Sequence, residues 1–299
     1  MLITKYKKFY PVEIITLVYM MLTTLYIVAF WGSVKEDAAV TLLIVRLAIL
    51  GVMAGLYVWN QYDRRQGIIT LRNILPLAFV IYFYPETYYL NHCIFSGSLD
   101  ATVIRIDQQL FGCSLSTVFS EAVPFAWFNE LMNLAYLSYF FTILFVILYL
   151  LFCNKDNAYR SAFILLCSFF AYYALFIVFP TEGPQFYEFD YDNVLPALGP
   201  MRKILLFFHA VGERSTGAVP SSHVGIMAIY MYLLWQSGRR LFWWLLPLSF
   251  LLVLSTVYIR AHYAIDVLLG FASAPVIYCF SCWCWKKLAA FSHTLKTES

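Results

Sequence analysis

Two short stretches hold residues whose types and spacing suit proton transfer and nucleophilic attack on an anionic group. The first is Gly217-Ala-Val-Pro220-Ser221-Ser222-His223-Val-Gly225. Proline suits the first turn of a helix and serine is a good cap, so this stretch predicts a helix start. The free N–H groups and positive end of such a helix attract anions. Ser221 and Ser222 add hydroxyl donors, and His223 adds a proton. The second is Ser255-Thr-Val-Tyr-Ile-Arg260-Ala-His262-Tyr-Ala-Ile-Asp266. His262 and Asp266 stand four apart, which on a helix puts them on one face. A carboxylate bonded to one imidazole nitrogen fixes the tautomer and frees the other nitrogen as a nucleophile. Arg260 adds a permanent charge of the kind that pairs with phosphate. A single histidine at a helix end is usually an ordinary interfacial residue, and His92, His209 and His293 read that way. Two histidines accompanied by Ser-Ser, Arg and Asp read as a site.

The elements that position these residues follow from composition. The chain has 299 residues, 62% hydrophobic and 12% charged, with a net charge of +3. Soluble domains run at about 45–50% apolar and about 25% charged, so the bilayer is the expected solvent. The small net charge argues against nucleic acid as a partner, since that needs a concentrated basic face. A bilayer core of about 30 Å takes about 20 apolar residues in a helix. Eight candidate spans lie near 12–31, 40–59, 74–91, 129–152, 159–180, 222–237, 241–259 and 262–284. The fold expected is all-α, a polytopic transmembrane helical bundle of about six to eight spans. The third span contains Pro85 and Glu86 and is expected to break or end early. Arg46, mid-span, is expected to snorkel or to pair with a carboxylate such as Glu86, rather than to take part in chemistry. Residues 1–91 form the N-terminal spans, 92–128 an interfacial connection, 129–285 the core holding both stretches, and 286–299 a basic tail. The first apolar run is long and lacks a small-residue cleavage site, so it reads as a retained anchor.

In the connection 92–128, apolar Leu99, Val103, Ile106 and Leu110 recur at helical spacing, predicting an amphipathic helix along the interface. Asp100 and Asp107 are expected to cap or orient it. With an even number of spans, thirteen Lys and Arg fall on the side of the termini and six on the other, with Arg46 inside a span. The positive-inside rule then puts the termini in the cytoplasm and both histidine stretches at the outer, periplasmic or lumenal face. The seven cysteines read as apolar fillers, and no metal-ligand spacing occurs. Glu182, Arg202, Lys203 and Arg214 suit lipid headgroups as well as a site.

Pro220-Ser-Ser-His223, followed by His262 and Asp266, resembles the type 2 phosphatidic acid phosphatase superfamily over roughly residues 180–270. That family carries a Lys/Arg-Pro stretch, a Pro-Ser-Gly-His stretch and a Ser-Arg stretch ending in His and Asp. Here Ser222 replaces the Gly, Thr256 stands where the family has Arg, and Phe179-Pro180-Thr-Glu182-Gly-Pro184-Gln185 occupies the place of the first stretch. His262-Tyr263-Ala264-Ile265-Asp266, with Ile106-Asp107 and Leu110-Phe111-Gly112, looks like the branch that includes inositol phosphorylceramide synthases. The resemblance implies phosphoryl transfer through a phosphohistidine, without metal or other cofactor. His262 would be the nucleophile, Asp266 its orienting group and His223 the proton donor and acceptor. Arg260, Ser221 and Ser222 would hold phosphate oxygens, with Arg214 as the first candidate for a further cation and Arg202 or Lys203 next. The implied substrate is a membrane phospholipid, and the acceptor is water or a lipid alcohol such as ceramide or diacylglycerol. A transporter is the rival reading, against which stands the lack of paired inverted halves. A haloperoxidase-like anion site is a second rival, which the high hydrophobicity disfavours.

Overall fold

The computed structural model describes residues 9–63, 65–188, 199–212 and 214–297. Lys5, Lys7, Lys8 and Arg64, counted above, lie outside these residues, as do the side chains of His209, His293 and Lys296. The described residues are helical, without strands. In chain order the helices are α1 (Pro11–Ala29), α2 (Ala39–Tyr62), α3 (Gln66–Ala78), α4 (Val80–Leu90), α5 (Asp100–Phe111), α6 (Leu115–Ala122) and α7 (Ala126–Cys153). They continue with α8 (Lys155–Val178), α9 (Pro184–Tyr187), α10 (Pro200–Gly212), α11 (Ser222–Ser237), α12 (Arg239–Tyr258) and α13 (Ala264–Thr297). Local chemistry sets several ends. Pro11 occupies the first turn of α1, and the Glu13 carboxylate reaches back to accept from Tyr10 N–H at 2.8 Å. Asn154 caps α8 by accepting from Asn157 N–H at 3.1 Å. Gly112, at φ 73°, ends α5 in a left-handed turn that glycine adopts without strain.

Among the described residues seven helical stretches are long and apolar enough to cross a membrane: α1, α2, α3 with α4, α7, α8, α12 and α13 up to Ala290. They mark an integral membrane protein. The bundle is built around α8, whose residues 161–170 are all buried. It packs against α1, α3, α4, α7, α11 and α13. A helix apolar on every side and enclosed on every side is a core helix. By contrast, Ile44, Leu47 and Val58 of α2 point outward, as a lipid-facing surface requires.

Three expectations change. The stretch 222–237 forms α11, but its 16 residues reach only about 24 Å, short of a bilayer core. It packs against α7, α8, α12 and α13, with Tyr232 and Trp235 left exposed. The third span starts at Gln66, not near 74. Its one-residue interruption falls at Phe79, three residues after Pro76, while Pro85 sits inside α4. The earlier start takes Arg72 from a loop into the bundle. There it meets both Glu13 oxygens at 2.7 Å and Asn60 Oδ1 at 2.7 Å. That pairing needs a carboxylate from a distant span, which sequence spacing does not display. Arg46 does pair with Glu86, at 2.6 Å.

The third change concerns the aspartates of α5. The helix forms as expected, with Ile106 and Leu110 pointing outward as the apolar stripe of an interfacial helix does, but Asp100 and Asp107 are buried with Val103 and bond other segments rather than capping their own helix. The aspartates turn inward because backbone donors wait for them there.

Candidate active site

Three segments meet at one end of the bundle: the loop 181–187, the approach to α11 and the turn between α12 and α13. Backbone bonds lace them together. Gln185 N–H donates to Arg260 C=O at 2.9 Å, Val219 N–H to Thr181 Oγ1 at 3.0 Å, and Ser221 N–H to Asp266 C=O at 3.1 Å. Gly183, at φ 89°, permits the closest approach, since a Cβ there would lie 2.8 Å from Ala261 C=O.

α5 braces the whole assembly. The Asp100 carboxylate accepts from Glu182 N–H at 2.7 Å, Gly183 N–H at 2.9 Å and Tyr263 O–H at 3.0 Å, and also from Ser98 O–H. Asp107 accepts from Ile265 N–H at 2.8 Å, satisfying a free donor at the start of α13. Burial pushes the Asp107 carboxyl above its ordinary range. Both aspartates are buried. They hold two of the three segments, a role not visible in a helix read for its apolar stripe.

His223 and His262 touch: His223 Nδ1 lies 3.2 Å from His262 Nε2. The other nitrogen of His262, Nδ1, is 2.9 Å from Ala218 C=O and 3.5 Å from Asp266 Oδ2. A carbonyl only accepts, so Nδ1 carries the proton and Nε2 of the neutral ring presents its lone pair. His223 Nδ1 is then the donor between the rings. His262 precedes α13 by two residues, so the expected pair with Asp266 forms across a turn rather than along a helix face. Asp266 Oδ2 also accepts from Tyr263 N–H at 2.9 Å, closing that turn. The His223 ring rests on Tyr136 and Tyr139, with centroids 4.7 and 4.5 Å away.

The histidines line a narrow cleft of about 10 Å³. Ser222 joins them from the first turn of α11. Glu182 and Gln185 come from the loop that occupies the place of the family's Lys/Arg-Pro stretch, and Tyr84, Tyr136 and Phe186 supply aromatic walls. Tyr84 belongs to α4, and its hydroxyl donates to Thr216 C=O at 3.1 Å. The N-terminal helices therefore form one wall, which no motif in residues 1–91 announces. Among the described residues, no Lys or Arg lines the cavity.

Three expected phosphate ligands sit elsewhere. The Arg260 guanidinium bonds Ser120 Oγ, at 3.1 Å from Nε and 2.9 Å from Nη2, and lies 3.8 Å from Glu121. Burial lowers its pKa, against the pull of Glu121 and Glu188. Its backbone has φ 64°, and this left-handed turn aims the side chain toward α6. Ser221 is fully buried and caps α11, its Oγ accepting from Val224 N–H at 3.4 Å. Arg214 is outside the lining and lies within electrostatic reach of Tyr88. Of the next candidates, Arg202 is buried, its N–H 3.4 Å from Glu130 Oε1, and Lys203 is exposed. Ser222, His223 and His262 are the expected site residues that line the cavity together, with Asp266 behind them.

A second, apolar cavity of about 440 Å³ opens between α5, α8 and α13, lined by Val103, Leu175, Phe179, Leu269 and Ala272. Thr181, Val219 and Pro220 form its boundary toward the histidines.

A family model described as the PAP2 superfamily matches residues 101–280. No curated protein and no solved structure gives a significant match. The matched stretch begins in α5, ends in α13 and contains both histidines with the loop that faces them. Because it covers more than half of the sequence, the chain belongs to the PAP2 superfamily, a family of phosphatase- and phosphotransferase-type function.

Proposed function

We propose that the protein cleaves a lipid phosphate ester through a phosphohistidine on His262 and passes the phosphoryl group to water or to a lipid alcohol. The observation that carries this reading is the His223–His262 contact, with His262 held in the tautomer that frees Nε2. Nε2 attacks phosphorus as the rings part, and His223 protonates the leaving oxygen. In the second step His223 takes the proton of the incoming hydroxyl while the N–P bond breaks. Asp266 balances the charge that grows on the His262 ring. Ser222 and the N-terminal end of α11 face the phosphate oxygens, where negative charge must be neutralised. The apolar cavity beside Val219 and Pro220 offers a seat for a hydrocarbon chain next to the reacting phosphate. The motif likeness to inositol phosphorylceramide synthases supports a transferase ancestry.

The test incubates detergent-purified protein and its His262→Ala variant with a phospholipid panel, with and without ceramide or diacylglycerol. Inorganic phosphate, soluble headgroup phosphates and new lipids are all measured. Soluble phosphates made only by the parent identify water as acceptor. A new phospholipid that requires the added alcohol identifies a transferase. Equal products from parent and variant, or none from either, would remove this reading and move transport to the front.

A further inference from the structure

We propose that the lipid taken by this site carries a cationic amine in its headgroup, with the phosphate on the histidine pair and the ammonium among Glu182, Tyr84, Tyr136 and Phe186. The inference rests on the function proposed above and names its substrate class: a zwitterionic phosphodiester of an amino alcohol.

The argument is one of charge. A phosphate monoester is close to dianionic at neutral pH, and a buried dianion requires cations around it. The family resemblance leads one to expect them from a Lys/Arg-Pro stretch and from the arginine of the Ser-Arg stretch. In this chain the first is replaced by a loop whose Glu182 and Gln185 line the cavity. The second is Thr256, fully buried and bonded to Val253 C=O at 2.7 Å. Arg260, two residues before the nucleophile, spends its guanidinium on Ser120 and Glu121. Glu182 thus lines the cavity where cations are expected, and among the described residues the lining holds neither Lys nor Arg. A phosphodiester carries a single negative charge, which Ser222, the amides of α11 and a protonated His223 can meet. The Glu182 carboxylate has Lys35 within electrostatic reach, but no cation stands beside it in the cavity lining, so it gains from a positive group that enters there.

The surroundings of Glu182 agree. Burial, and then Asp100, raise its pKa, and Lys35 partly counters them. Lys35 itself sits over the Tyr88 ring, 4.1 Å from its centroid. Asp100 already holds two N–H groups and a tyrosine hydroxyl, so it adds negative potential without turning toward the cavity. Glu188 feels the same Asp100 and Asp107 charges. A carboxylate in such a field gains from an incoming ammonium. Aromatic faces beside it attract quaternary and primary ammonium groups alike.

The chemistry balances. His262 Nε2 forms a bond to phosphorus, the P–O bond to the glycerol oxygen breaks, and that oxygen takes a proton from His223. An aminoalkyl phosphoryl group remains on His262. Water or a lipid hydroxyl then attacks phosphorus, gives its proton to His223, and the N–P bond breaks. The product is an aminoalkyl phosphate or a new lipid bearing the same headgroup.

The experiment compares phosphatidylethanolamine, phosphatidylcholine, phosphatidic acid and phosphatidylglycerol of identical acyl chains in mixed micelles. It uses the full-length parent and its Glu182→Gln, Glu182→Asp and His262→Ala variants. The expected result is His262-dependent turnover that favours the two amine lipids. Glu182→Gln should lower the ratio of kcat/KM for phosphatidylethanolamine over phosphatidic acid by roughly tenfold, and Glu182→Asp should restore part of it. Preference for phosphatidic acid or phosphatidylglycerol, with turnover still lost in His262→Ala, would overturn the headgroup assignment and leave the phosphohistidine reading intact. If no lipid is turned over, binding of the same four lipids to the His262→Ala protein by native mass spectrometry decides. Tighter binding of the amine lipids that Glu182→Gln abolishes supports the assignment, and equal or anionic-lipid binding overturns it.

Discussion

On the Nδ1 side of His262 stand two acceptors of unequal closeness, Ala218 C=O at 2.9 Å and Asp266 Oδ2 at 3.5 Å. The carbonyl alone fixes the tautomer. The carboxylate is thereby left to offset positive charge on the ring as Nε2 bonds to phosphorus. That charge exists only beyond the ground state. Asp266→Asn, which preserves the acceptor for Tyr263 N–H, is therefore expected to lower kcat by about 100-fold with little change in KM. Steady-state kinetics on the best lipid of the panel check this, and a loss confined to KM would assign Asp266 to holding the turn. At this scale the sequence is informative where chemistry depends on residue type alone. Motif and spacing single out Ser222, His223, His262 and Asp266, and the fold brings these four together. Arg260 stands beside them in the string, but a side chain's direction depends on its backbone, and nothing in the string announces φ 64°. Glu182 is visible as a charge that suits headgroups as well as a site, and only the fold places its loop in the cavity lining.

α5 shows how an element can be recognised while the task of its polar face stays hidden. Its period is readable, and Ile106 and Leu110 point outward as an interfacial stripe does, but the partners of its aspartates are not in the string. Asp100 and Asp107 accept from backbone donors of the 181–183 loop and of α13. Unsatisfied buried N–H groups are costly, and that cost holds both carboxylates inward. Asp107→Ala, which strands the Ile265 N–H, is expected to cost about 1 kcal/mol, and Asp107→Asn less, because its amide oxygen still accepts. The pH dependence has a definite sign. Burial raises the folded carboxyl pKa above the unfolded value, so the neutral form is favoured in the fold and the parent loses stability as pH rises through the raised value. Thermal unfolding in detergent should show the Asn variant gaining on the parent with rising pH and losing that advantage on acidification. α11 departs from expectation for a related reason: its polar start and short length are visible in the string, but not the helices it packs against.

Across the whole molecule, the N-terminal helices stand outside the family match yet form a wall of the site through Tyr84. They are tied to one another by two buried ion pairs, Arg46–Glu86 and Arg72–Glu13. The first is legible as a lone mid-span charge in search of a partner. The second is not, because Arg72 sits beside loop residues and its type and neighbours suit water equally well. Removing one member of a buried pair leaves an uncompensated charge, so Glu13→Leu alone should destabilise by about 3–5 kcal/mol, whereas Glu13→Leu with Arg72→Met should recover most of the loss. Melting curves of the two variants against the parent test this, and equal loss in both would show that packing, not charge, dominates there. The 3.2 Å contact between the two imidazoles carries its own consequence. A nucleophile whose lone pair is already engaged is a guarded one, so the resting protein is chemically quiet toward small electrophiles that only collide with it. Parting the rings is a toll levied on every entrant, and only a molecule that satisfies both nitrogens in their new positions recovers it. Discrimination thus begins before any bond to phosphorus is made.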